Sequence, residues 1–405
     1  MISVEEARAR ILAGLAPVAA ETVSLPEALG RVTAEPLIAR RTQPPMDVSA
    51  MDGFAVRSQD VAAAPIRLSI VAEIAAGSGH DGEITSGTCA RIFTGAPVPH
   101  GADAIVIQEN TTPDGDDGVL INEGATAGTY VRRAGLDFEA GETLIPAGRP
   151  LSARHIGLAA AMNVPWISVR RRPRVAILST GDEIVLPGDP IGPNQIVSSN
   201  GPALAAAVTA AGGAPTLLAI AKDDPDALRS IADGATGHDL LLTTGGASVG
   251  KHDLVGSALA SSGLTLDFWK IAMRPGKPLM FGSLAGVPML GLPGNPVSAL
   301  VCFLLFGLPA VKALQGRADT DPVTEAAVLD APLPENDRRE DYLRAKLSTD
   351  SRGTTRATPF PKQDSSMMRR LAEADALIRR APHAPAVKPG EYVDIIRFFE
   401  GPAGY

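Results

Sequence analysis

From Arg174 to about Arg317 the sequence alternates short, nearly all-apolar runs with helix-forming stretches, and this alternation restricts the fold more than any other feature. The apolar runs are VAILS, TLLAIA, DLLLTT and MLGLP. Strands that are apolar on both faces must be covered on both, and strands joined through helices run parallel, so the segment predicts a doubly wound α/β domain. The helices between them are GPALAAAVTAAG behind Asn200, PDALRSIADG behind Asp224, DLVGSALASSG, and NPVSALVCFLLFGLPAVKALQG, the last kinked near Pro309. Asn200, Asp224 and Asn295 stand where helix N-caps belong.

In an open α/β sheet, ligands bind outside the carboxyl ends of the strands. Here the strand exits read STGDEI, KDDPD, TTGGASVGKHD and PGNP. They bring the carboxylates of Asp182, Glu183, Asp223, Asp224 and Asp253 to one rim, together with Gly181, Gly245, Gly246, Gly250 and Gly294. Bare backbone amides hold an anion and carboxylate oxygens hold a hard cation, so a phosphate ester carrying Mg²⁺ satisfies both. Gly245, Gly250 and Lys251 have P-loop spacing, but His252 stands where a P-loop needs a hydroxyl, and the GK pair follows a late strand. The stretch reads as a different kind of anion cradle.

The remaining chain divides around this domain. Residues 1–40 and 139–172 read as a framing domain, with Ser3 as N-cap of VEEARARILAGL and a returning helix in LSARHIGLAAAMNV. Residues 41–138 break into short β-branched runs separated by Gly, Pro and Asp turns, the pattern of an inserted β-rich domain. Residues 173–317 are the α/β domain, and 318–405 carry the strand candidates DYLRAKL, ALIRR and EYVDIIRFF of a small C-terminal β domain. A net charge of −8, with no basic run longer than Arg170–Arg172, argues against a nucleic-acid partner. Two cysteines, Cys89 and Cys302, allow neither a disulfide framework nor a cysteine metal site. No signal-peptide core is visible and the apolar run Val297–Leu308 is too short to span a bilayer, so the expectation is a cytoplasmic protein without a membrane anchor.

Six motifs then carry a resemblance. TTGGASVGKHD, STGDEI, FWKIAMRPGKPLMFG and GLPGNPVSA, with PPMDVSAMDGFAV and RIFTGAPVPHGADAIVIQE in the β-rich insert, resemble in order the molybdopterin molybdotransferase family, the MoeA-like proteins that include the C-terminal domain of gephyrin. The resemblance covers effectively the whole chain. The two motifs of the insert separate it from molybdopterin adenylyltransferases and CinA-like proteins, which share only the α/β domain.

The resemblance implies insertion of molybdate into adenylylated molybdopterin with release of AMP, dependent on Mg²⁺. The implied catalytic positions are Asp52, Thr94, Glu183, Asp223, Asp253, Lys270, Arg274 and Lys277, of which Glu183, Asp223 and Asp253 would carry the metal, with Asp182 beside them. Arg274 stands where many relatives have lysine. Implied substrate-binding positions are Ser179, Thr180, Gly181, Gly245, Gly246, Ser248, Gly250, Pro293, Gly294 and Asn295, with Arg344 and Ser365 in the C-terminal domain. Asp137 falls at a family position too, and reads equally as a turn residue. The resemblance also implies a two-fold homodimer whose site is shared between subunits, and a molybdopterin adenylyltransferase as partner. Two other readings are a non-catalytic, gephyrin-like scaffold and a P-loop nucleotide hydrolase.

Overall fold

The computed structural model describes residues 1–222, 233–245 and 263–398. They form two compact units, one of Met1–Glu35, Ala147–Ala153 and Ser168–Tyr405, the other of Pro36–Pro146 and Arg154–Ile167.

The first unit is built on a six-stranded sheet of β1 (Arg174–Ser179), β2 (Ala214–Leu217), β3 (Leu240–Thr244), β4 (Leu264–Trp269), β5 (Met280–Leu284) and β6 (Val287–Leu292), in the order β2-β1-β3-β6-β5-β4. β1 pairs in parallel with β2 and β3, and β3 with β6. β5 joins antiparallel to β6 through Ala285 and Gly286, both at positive φ, a turn whose twist matches that of its strands. Along β1, Val175 and Ile177 enter one apolar core while Ala176 and Leu178 enter the other, so both faces are covered as the all-apolar runs predict. The TLLAIA run differs from its expected position. Its strand starts earlier, at Ala214, and stops at Leu217, because β2 is a sheet edge with a ladder partner on one side only, and Ala221 alone returns to bridge Thr180.

Helix α1 (Val4–Ala13) is capped by Ser3, whose Oγ accepts from the Glu6 N–H at 3.0 Å, and it buries Val4, Ala7 and Ile11 in the first of these cores. Helix α2 (Asn200–Ala210) follows β1. After β6 come α3 (Pro296–Cys302), a π-helical stretch Phe303–Gly307, and α4 (Leu308–Leu314). The irregularity expected at Pro309 thus lies upstream of it. Proline lacks the N–H that would bond four residues back and its ring crowds that carbonyl, here at Leu305, so the wider turn falls at the site of the missing bond. The stretch Pro296–Leu314 is long and apolar enough to cross a membrane, yet 83% of its most apolar 18-residue window is buried inside the protein, as a core helix.

The C-terminal strands Glu325–Leu329, Glu340–Thr349, Thr355–Pro359, Ala376–Arg380 and Tyr392–Arg397 pair in a closed circuit, forming a small β-barrel. Met273–Arg274 lies parallel to the barrel residues Glu340–Asp341. The second unit is β-rich, with a six-stranded sheet whose central strands include Gly53–Val56 and Thr88–Ile92. Phe54 and Val56 point into one core and Ala55 into another.

Candidate functional site

The strand order reverses its direction of travel between β1 and β3, and the exits on either side of that point open a cleft of about 700 Å³. β1 contributes Ser179, Thr180 and Gly181, β3 contributes Thr244 and Gly245, and β6 contributes Pro293, Gly294 and Asn295. The register is tight: the Thr180 N–H donates to Thr244 O at 3.0 Å and the Gly181 N–H to Ala221 O at 3.1 Å. At Gly245, φ is 94° and a Cβ would stand 2.3 Å from Thr180 O, so only glycine lets these two exits touch. Glu183, exposed, folds its carboxylate over Gly181, where a Cβ would stand 2.6 Å from Glu183 Oε2.

Asn200 is the residue that sequence reasoning misjudged. Rather than capping α2, its Nδ2 donates to Thr244 Oγ1 and to Gly294 O, each at 2.7 Å, so one amide ties two strand exits to the start of a helix. Thr244 Oγ1 donates onward to Pro293 O at 3.2 Å. Asn295 makes no cap bond either, its Nδ2 donating to Ser365 Oγ at 3.0 Å. No signal in the local sequence distinguishes these asparagines from ordinary caps.

The Lys270–Lys277 segment is held by its backbone, with Lys270 N–H on Leu279 O and Ile271 N–H on Lys277 O, both at 3.1 Å. Pro278 then lines the cleft. Lys270 has a positive φ of 100°, rare for a residue with a side chain, and its Nζ lies 5.0 Å from the centre of the Trp269 ring. Arg274 turns to the barrel, where its guanidinium pairs with the buried Asp341 and lies 3.7 Å from Asp337. The hydrogen bonds and charge of Asp341 raise its pKa further.

Arg344 is fully buried and works through a loop. Its N–H and Nε donate to Gln363 Oε1 at 3.0 and 3.2 Å, and its Nη1 to Asp364 O at 2.8 Å. Burial pushes its pKa down, and the Asp364 charge opposes this. The loop so held carries Ser365, whose carbonyl accepts from the Val297 N–H at 3.1 Å, and Ser366, which lines the cleft.

In the β-rich unit, the Thr94 N–H and Oγ1 both donate to Asp52 Oδ1, at 2.7 and 2.8 Å. These two bonds, backbone first, hold the Asp52 carboxyl below the ordinary carboxylate range, with a smaller contribution from Arg91. Asp137 is exposed in a turn, its N–H donating to Gln43 O at 3.0 Å. Asp223, Gly246, Ser248, Gly250 and Asp253, with Asp224, Lys251 and His252, lie outside the described residues. Among the described residues no three His, Cys, Asp or Glu side chains come together as a metal site.

A mixed sheet, parallel around a glycine-cornered, hydroxyl-lined cleft at its switch point and joined to a closed barrel, defines a multidomain α/β protein with a small-ligand cleft at its strand exits. Residues 2–163 match the MoeA N-terminal region (domains I and II), 176–313 the "probable molybdopterin binding domain", and 326–398 the MoeA C-terminal region (domain IV). The molybdopterin molybdenumtransferase of Nostoc sp. is 41% identical over 336 residues, covering 81% of this chain and 77% of its own. Molybdopterin molybdenumtransferase 2 of Mycobacterium tuberculosis is 39% identical over 367 residues, covering 88% and 90%. A crystal structure of the MoeA protein of Pyrococcus horikoshii superposes with a TM-score of 0.85 at 30% identity, over 99% of this chain and 100% of that one. The chain belongs to the MoeA family of molybdopterin molybdenumtransferase enzymes.

Proposed function

We propose that this enzyme transfers molybdenum from molybdate to adenylylated molybdopterin and releases AMP, completing a step of molybdenum cofactor biosynthesis. The observation that carries the reading is the cleft itself: about 700 Å³ at three adjoining strand exits, within the size range of small-ligand sites and lined by backbone and hydroxyl groups. In this reading Ser179, Thr180, Gly181, Gly245, Pro293, Gly294 and Asn295 hold the substrate, with Gly246, Ser248 and Gly250 continuing the cradle. Lys270 and Lys277 hold the oxyanion and stabilise charge on the departing phosphate, and Arg274 adds positive charge beside them while remaining on Asp341. Arg344 holds the loop that presents Ser365.

Water attacks the molybdopterin-side phosphorus, so a new P–O bond forms there as the P–O bond to AMP breaks; the AMP phosphate leaves with the electron pair and the attacking water gives up a proton to solvent. Mg²⁺, when bound, neutralises that linkage. The chemistry of the donor set suits it: Glu183 is an exposed carboxylate on the rim, an oxygen ligand of the kind Mg²⁺ takes, and Asp223 and Asp253 are proposed to complete the set. Asp52, kept ionised by Thr94, is proposed to serve the cleft of a second copy, giving two equivalent sites in a two-fold homodimer. The adenylylated substrate would come from a molybdopterin adenylyltransferase.

The test is to incubate the protein with adenylylated molybdopterin, Mg²⁺ and molybdate and to follow AMP. AMP release that depends on molybdate is expected, and release no greater than without protein would overturn the reading. Glu183→Gln should abolish release while leaving the melting temperature unchanged, because the side chain is exposed and packs little.

A further inference from the structure

The wall of the cleft contains a hydrogen-bond acceptor whose orientation is locked. Asn200 spends both amide protons, on Thr244 Oγ1 and Gly294 O. Turning the amide over would set its oxygen against the Gly294 carbonyl, so Oδ1 stays where it is, buried and without a partner. Thr180 Oγ1, in a residue only 3% exposed, is a second buried polar atom without a partner, and both residues line the cleft. Thr243 Oγ1 is also without a partner, but it lies within β3 beside Gly291 and does not reach the cleft. Buried polar atoms are nearly always paired, so two orphans in one binding wall call for a ligand that pairs them.

The chemistry of that ligand group follows from the donor inventory. A carboxamide oxygen only accepts, and a threonine hydroxyl donates or accepts. Ionised phosphate and molybdate offer acceptors alone and would be repelled by Asn200 Oδ1. A ligand amine offers the donor that Asn200 Oδ1 lacks, and a ring nitrogen offers an acceptor to the Thr180 hydroxyl. We propose that Asn200 reads an amine on the ligand's heterocycle, with the Thr180 hydroxyl serving a ring nitrogen, and that the phosphates lie elsewhere in the cleft. This rests on the reading of the cleft as the site for adenylylated molybdopterin, which carries an amine and ring nitrogens on both its adenine and its pterin.

The experiment compares ligands that differ by one group. Isothermal titration calorimetry with the full-length protein measures AMP against IMP, and pterin-6-carboxylate against lumazine-6-carboxylate, each pair exchanging the amine for a carbonyl. The wild-type protein should prefer the amino member of one pair by roughly 10- to 100-fold, the penalty for leaving a buried acceptor opposed and unpaired. Preference within the purine pair places adenine at Asn200, and preference within the pteridine pair places the pterin there. Asn200→Leu, close in shape but without the acceptor, should bring the ratio near one. Asn200→Asp keeps an acceptor and should keep the preference even as it loses both donated bonds.

A wild-type ratio near one in both pairs would overturn the assignment, and needs no variant to fold. So would an unchanged ratio in Asn200→Leu, or a preference for AMP over 2′-deoxyAMP that is the only one lost in that variant, since this would place a ribose hydroxyl at Oδ1. An enzyme that releases AMP on adding molybdate but ignores the amine would sink this inference and leave the proposed function standing.

Discussion

Arg274 Nε donates to both carboxylate oxygens of Asp341, at 2.9 and 3.0 Å, and the carboxylate is buried while the guanidinium is half exposed. The pair sits where Met273–Arg274 runs beside the barrel strand Glu340–Thr349, so the arginine is a tether as well as a charge. Arg274→Ala strands a buried carboxylate and should cost about 1–3 kcal/mol, the usual penalty for a charged group left without its hydrogen-bonding partner. Arg274→Lys keeps the charge but loses the fork, and should fall between. Urea unfolding of Arg274→Ala, Asp341→Ala and the double variant measures the coupling; additive effects would mean that strand pairing alone attaches this segment.

Thr94 sends two hydrogen bonds to one oxygen of Asp52, and removing one of them should be readable as a titration. The folded pKa of Asp52 is depressed, so the stability linked to it is complete above the ordinary value of about 3.9 and is lost as pH falls through the lower folded value. Thr94→Val deletes the hydroxyl but keeps the backbone N–H. The Asp52 pKa should rise part of the way to normal, and the window of loss should move to higher pH. Carbon-13 NMR titration of the carboxyl group checks this, and an unmoved pKa would assign the whole depression to the backbone donor and Arg91.

Gly245→Ala should fail at two levels. Its φ of 94° disfavours any side chain, and the new Cβ would meet Thr180 O. Backbone strain of this kind costs about 1–3 kcal/mol before any displacement of Thr180 is counted. A lower melting temperature together with weaker AMP binding is expected, and unchanged AMP binding would show that the β1–β3 contact does not shape the ligand cradle.

The shared-site proposal predicts complementation. Asp52→Ala and Glu183→Ala chains, each inactive alone, should recover activity on subunit exchange, because a mixed dimer holds one site with both lesions and one with neither. Random exchange makes about half the dimers mixed, so recovery should approach roughly a quarter of wild-type sites. Mixed samples no more active than either parent, with exchange verified by tag pull-down, would place both residues in one chain's site.

What was legible in the sequence was the sheet and its rim. The runs ending at Ser179, Thr244 and Leu292 could be read because a strand buried on both faces is apolar for most of its length, and the exits then carry the glycines and hydroxyls that line the cleft. Illegible were the partners. Asn200 at a helix start looks like a cap, and its true acceptors, Thr244 and Gly294, are 44 and 94 residues away. Arg274 in a cationic loop looks like a ligand residue, and its carboxylate is 67 residues downstream. Side-chain hydrogen bonds over such separations leave no periodic trace in the chain, whereas burial does.

The core helix Pro296–Leu314 has a consequence for how the protein is made. By composition it would pass for a membrane span. Every strand of the sheet that covers it, and the N-terminal helix as well, lies earlier in the chain. When this segment leaves the ribosome, the sheet and the N-terminal helix of its core have already been synthesised, and Tyr342, Leu371, Leu377 and Ile396 of the same core are still to come, so the order of the chain gives its greasiest helix a partial apolar seat at the moment of greatest exposure.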